Sequence, residues 1–156
     1  MGMELLRPLP LIAGLILVAG CGKPGPAAPA APSVAGAWVR LAAVPGRPAA
    51  GYFTLHGGTG ADRLVAVTSP EVATIELHES MTGTGGMAGM KPIKSAALPA
   101  GGTLAFAPGG RHAMLFGVAP SVQPGGTIGL HFTLASGRTL DAQARAVAAG
   151  DPAPDG

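Results

Sequence analysis

Cysteine is almost absent. Cys21 stands alone in 156 residues, so no internal disulfide can form. A small domain built this way depends on its core, its sheet ladders and any metal it binds. Charge is thin as well. Ten Lys/Arg and eight Asp/Glu leave a net charge of +2, and no basic cluster interleaves with aromatic residues. That removes the electrostatic footprint of a nucleic-acid binder. Aromatics are scarce, with one Trp, one Tyr and four Phe. No apolar run suits a membrane-spanning helix. Leu11–Gly20 (LIAGLILVAG) has only ten residues, whereas about 20 are needed to cross a bilayer. Catalytic arrangements are missing too. There is no Ser/His/Asp set, no paired carboxylates and no Gly-rich phosphate loop, so no enzymatic activity is expected.

Turn formers are abundant, with 26 Gly and 16 Pro. They separate short apolar runs, a pattern that favours strands over helices. Strands are expected over Val34–Ala42, Ala50–His56, Arg63–Thr68, Thr74–His78, Thr103–Ala107, His112–Val118, Thr127–Leu134 and Leu140–Val147, with a brief pairing over Lys91–Ala96. Strands at this spacing predict an all-β, antiparallel Greek-key β-sandwich.

The N-terminus reads as an export signal. Arg7 precedes the apolar run, which ends in Val18-Ala19-Gly20-Cys21. Small residues before a cysteine resemble the bacterial lipoprotein signal. In such signals the cysteine is lipidated and becomes the mature N-terminus. Residues 1–20 are then the signal peptide. Cys21 is the lipidation site, and residues 21–33 form a Pro/Ala-rich, semi-rigid linker. The folded domain is expected over 34–148 and a disordered tail over 149–156.

Once the signal is removed, every methionine left lies between Leu77 and Phe116, together with His78 and His112. Side chains alternate faces along a strand. Ile75 and Leu77 therefore take the core face, leaving His78 on the other face at the strand's end. Glu76 and Glu79 flank it and read as solvated carboxylates, with orientation of His78 as the alternative. Residues 79–89, with four glycines, read as a flexible loop that lets Met90 fold back. In His112-Ala113-Met114, positions i and i+2 share a face, while Ala113 and Leu115 take the core. His56 and His131 read as structural.

Donor chemistry selects the metal. Thioethers are soft and uncharged, and imidazole is borderline. Zinc prefers thiolate, imidazole and carboxylate, and calcium and magnesium prefer oxygen. His78, Met90, His112 and Met114 together suit copper, as Cu(I). Lacking a thiolate, such a site should release its ion more readily than a thiolate site. A blue-copper centre requires a cysteine thiolate, which Cys21 cannot supply.

These residues resemble the PCuAC-type periplasmic copper chaperones. The family signature is a His, a Met about a dozen positions on, twenty-one intervening residues and His-x-Met. Here it is met by His78, Met90, the gap Lys91–Arg111, His112 and Met114. Ala37-Trp38-Val39-Arg40, Glu76-Leu77-His78-Glu79, Met90-Lys91-Pro92-Ile93 and Pro108-Gly109-Gly110 also look like family stretches. The resemblance covers about Val34 to Val147. It implies a cupredoxin-like sandwich that carries Cu(I). It also implies delivery to the copper subunit of cytochrome c oxidase or to a thioredoxin-like assembly factor; with the lipoprotein signal at Cys21, the expected place is a lipid anchor facing the periplasm or cell exterior. Copper storage or resistance shares the same site, and a structural or protein-binding lipoprotein needs no metal at all. There are departures from the family pattern. Many members have a methionine soon after the first His, whereas here Glu79 and Ser80 precede Met81; many have another two positions after His-x-Met, where Phe116 stands. Met87 competes with Met90, and the tail Asp151–Gly156, with neither Met nor His, offers no second site.

Overall fold

A computed structural model describes residues 30–82 and 88–154. The signal peptide, Cys21, most of the linker and Met87 lie outside the described residues. Among those described there is no helix, and ten strands follow in order. They are β1 (Ser33–Arg40), β2 (Ala49–His56), β3 (Asp62–Thr68), β4 (Val72–Thr82), β5 (Ala88–Pro92), β6 (Ala96–Leu98), β7 (Thr103–Phe106), β8 (Arg111–Val118), β9 (Thr127–Leu134) and β10 (Thr139–Val147).

The strands form one hydrogen-bonded path, β5-β4-β8-β2-β1-β10-β9-β3-β6, with β7 paired to β2. The path folds over on itself, so that strands remote in the order face each other across one core. Phe53 of β2 meets Phe132 of β9 edge-on at 4.7 Å and stacks on Phe106 of β7 at 4.5 Å. All three rings are fully buried, with Leu55, Leu64, Leu115, Leu130 and Leu134 around them. Burial of each such side chain contributes about 1.5–3 kcal/mol.

Strand phase explains which residues enter that core. Val34 and Val39 both pack inward although five positions separate them, which a regular strand forbids. The register slips between Ala35 and Trp38, at Gly36, whose φ is 58°. One extra residue in the left-handed region reverses the alternation and leaves Trp38 on the outer face. There Trp38 packs with Tyr52 at 4.5 Å and with Val147 as a small second cluster, and the Arg40 guanidinium lies 4.9 Å over the indole.

Three details differ from the sequence-based expectation. β4 runs on to Thr82 and pairs with β5, so His78 is inside a strand rather than at its end. Residues 79–82 and 88–90 are consequently strand, not loop. The cross-strand pairing satisfies their backbone groups despite weak β-propensity. The pairing near residue 91 lies over Ala88–Pro92, and a separate β6 pairs with β3. Finally, β1 and β10 pair in parallel, because the first and last strands lie side by side within an otherwise antiparallel sheet. Beyond β10, Asp151 closes a turn onto the Ala148 amide at 3.2 Å, and its carbonyl accepts from Arg40 at 3.3 Å.

Candidate metal centre

The site is built on β4, β8 and β5. A tight turn starts β8. Gly110 N–H donates to the Ala107 carbonyl at 3.0 Å, with Pro108 and Gly109 (φ 82°) between them. Proline in the second position and a left-handed glycine in the third are the requirements of a type II turn. The turn delivers Arg111 into the sheet, and β8 then alternates. Ala113 and Leu115 are fully buried in the core, so His112 and Met114 take the outer face.

β4 aligns with it residue by residue. Leu77 is opposite Ala113 on the core face, His78 is opposite His112 and Glu76 is opposite Met114. Directly opposed residues of an antiparallel pair share a face. The two rings lie 5.9 Å apart, inclined by 29°. On the other side of β4, Ser80 is opposite Met90 and His78 opposite Pro92. Met90 therefore shares the face of His78, His112 and Met114, one diagonal step from His78, about 7–8 Å away by strand geometry. All four residues singled out in the sequence are thus placed on one patch of one face. Met81 is not with them. It pairs with Gly89 and points to the opposite face of the β4–β5 hairpin.

The hydrogen bonds of the two rings are complementary. His78 Nε2 lies 3.1 Å from the Glu76 carboxylate, and His112 Nδ1 lies 3.1 Å from the Gly110 carbonyl. Both partners are acceptors, so in the neutral rings those nitrogens carry the hydrogen. That leaves lone pairs on His78 Nδ1 and His112 Nε2. His78 Nδ1 is buried and has no hydrogen-bond partner among the described residues. A buried polar atom left open in this way costs stability unless something binds it. Metal-ligating histidines commonly donate their other N–H to a carboxylate or a backbone carbonyl, and each ring does one of these. Glu76, exposed to solvent as the sequence suggests, also reaches His78 and fixes which of its nitrogens carries the hydrogen. The signal in the sequence is Glu-x-His on a strand, which places both side chains on one face. Glu79 points the other way and pairs with Arg111 at 3.0 Å.

The donor set discriminates among metals. Among the described residues no group of three His, Cys, Asp or Glu converges. Two imidazoles become a four-donor set only with the thioethers of Met114 and Met90, a soft, uncharged combination that fits Cu(I). Glu76 would place a carboxylate behind a monovalent ion held by these donors. His56 and His131 stand elsewhere. His56 ends β2 opposite Ser33 and Thr103, and His131 is paired with Asp141.

Comparison with known proteins agrees with this fold. The family model "Putative lipoprotein LpqE-like" matches residues 33–146. "Putative lipoprotein Lxx21020" of Leifsonia xyli subsp. xyli is 32% identical over 143 residues, spanning 87% of this chain and 86% of that protein. The solution structure of CuI-DR1885 from Deinococcus radiodurans superposes with a TM-score of 0.57 at 29% identity, covering 77% of this chain and 79% of that one. The copper-bound PCuAC domain from PmoF2 superposes with a TM-score of 0.63 at 18% identity, covering 78% and 96%. At that identity it shows the fold alone, and the fold is that of a PCuAC domain.

Proposed function

The chain belongs to the LpqE-like lipoprotein family, and we propose that it is an exported, lipid-anchored copper(I) carrier that supplies the metal for cytochrome c oxidase assembly. One observation carries the proposal. His78 and His112 are directly opposed, each has one nitrogen tied to an acceptor and the other open, and Met114 and Met90 lie on the same face. DR1885, at 29% identity, has been solved with Cu(I), and this supports the choice of ion.

His78, His112, Met114 and Met90 would hold the ion, which is cargo rather than a catalytic group. The fit rests on the open, buried His78 nitrogen and on the absence of thiolate from the donor set. Neutral donors bind Cu(I) less tightly than thiolates, which suits a protein that must give its ion up. The acceptor is the oxidase copper subunit or a thioredoxin-like assembly factor. Lipid on Cys21 would hold the protein at a membrane facing the periplasm or cell exterior. No catalytic role is assigned.

Two experiments test this reading. Competition titration with a Cu(I) chelator under reducing conditions should show one ion per chain, and a His112→Ala/Met114→Ala double variant should lose it. Unchanged affinity in that variant sinks the site. In a deletion strain, oxidase activity should fall and recover on added copper. Normal activity at low copper would instead favour a storage role.

A further inference from the structure

The fold holds the four donors unequally. His78 lies on β4, flanked by β8 and β5, with Leu77 anchored in the core beside it. His112 and Met114 lie on β8 between β4 and β2, with Ala113 and Leu115 as core anchors. His112 is only 8% exposed. Met90 is different. It sits on β5, a five-residue strand at the end of the sheet with β4 as its one neighbour among the described residues. Met90 is 65% exposed, and its chain neighbours Gly89 and Lys91 are exposed as well. Fixing a solvated methionine onto a metal costs rotamer freedom that a packed side chain has already lost. Met90 belongs to neither hydrophobic cluster among the described residues.

We infer that Met90 is the exchangeable ligand, through which copper is handed to an acceptor that presents a thiolate. His78, His112 and Met114 keep the ion in place until the new donor is attached. This rests on the copper(I) reading above. In the step, the copper–sulfur bond to Met90 breaks as a copper–sulfur bond to the incoming thiolate forms. The thiolate provides the electron pair, its proton having passed to water. Copper stays Cu(I), and nothing is oxidised or reduced. Transfer runs downhill because an anionic thiolate binds Cu(I) more tightly than a neutral thioether. Among the described residues no strand pairs with the outer edge of β5, the side from which the incoming donor would reach Met90.

The test uses the full chain with isotope-labelled methionine methyl groups, loaded with one equivalent of Cu(I) without oxygen. Glutathione is then added stepwise while the methyl resonances are followed by NMR. The Met90 methyl should return to its metal-free position at a lower glutathione concentration than the Met114 methyl. Simultaneous return, or Met114 leaving first, overturns the inference. If neither methyl moves when copper is first added, the copper reading itself fails. As a second measure, Met90→Leu should weaken Cu(I) binding about tenfold and Met114→Leu roughly a hundredfold. Equal losses in the two variants also overturn the inference.

Discussion

His78 and His112 stand directly opposite each other on β4 and β8, and their hydrogen bonds use different ring nitrogens: Nε2 to Glu76 in one and Nδ1 to the Gly110 carbonyl in the other. The two neutral rings should therefore be opposite tautomers. Long-range proton–nitrogen NMR of the metal-free protein at neutral pH should show the hydrogen on Nε2 of His78 and on Nδ1 of His112. The same tautomer in both rings would contradict the assignment.

Glu76 is the group that keeps His78 Nδ1 open. Glu76→Ala should weaken Cu(I) binding by about 10–100-fold, the usual cost of losing such a supporting partner. Glu76→Gln retains an acceptor oxygen and should recover most of that loss. A titration in which the two variants behave alike would remove Glu76 from the site.

Alternation along β8 separates metal binding from stability. Met114→Leu conserves volume on the outer face, so the fold should lose less than about 1.5 kcal/mol while copper affinity falls. Leu115→Ala empties a fully buried core position and should cost about 2–5 kcal/mol. Below its melting temperature that variant should still bind one ion. Denaturant melts combined with copper titration check both halves.

Much of this arrangement was legible in the chain. Period-two patterning in Thr74–His78 and His112–Leu115 assigns the core-facing and outer-facing residues, because burial of Leu77, Ala113 and Leu115 leaves no other phase. β5 was harder to read. Ala88-Gly89-Met90 has little intrinsic β-preference, and its strand comes from pairing with Ser80–Thr82. The Met90 position opposite Ser80 follows from that register, whereas Met87 lies outside the described residues. Glu-x-His on a strand puts Glu76 and His78 on one face, but their bond also depends on side-chain rotamers that the spacing does not specify. The parallel β1–β10 pairing is likewise a property of the whole topology.

Two glycines give a stability contrast. A Cβ on Gly57 would lie 2.0 Å from the Pro99 carbonyl oxygen, and Gly57 N–H donates to Gly102 at 2.7 Å. Backbone meets backbone here, so little can yield. Gly57→Ala should cost more than about 2 kcal/mol. Gly60 faces open space, and Gly60→Ala should stay within about 0.5 kcal/mol of the parent. Thermal melts of the two variants decide it.

Asp62 sets an acid-side dependence. Its carboxylate accepts from the Ser136 hydroxyl, from Arg63 N–H at 2.8 Å and from Ser136 N–H at 3.1 Å. The Ser136 hydroxyl first, then the Arg63 amide, hold its carboxyl below the ordinary carboxylate value. A depressed folded-state value contributes stability that is present above the unfolded-state value and is lost as pH falls through the folded one. Asp62→Asn should therefore flatten the acid limb of stability against pH. An unchanged acid limb in urea melts would show that these bonds do not matter.

The most direct measurement is X-ray absorption spectroscopy of the full chain loaded with one equivalent of copper under reducing conditions. The donor set on β4, β5 and β8 predicts Cu(I) with two sulfur and two nitrogen neighbours, falling to one sulfur in Met114→Ala. A copper shell of nitrogen and oxygen without sulfur, or one unchanged by Met114→Ala, would contradict the site.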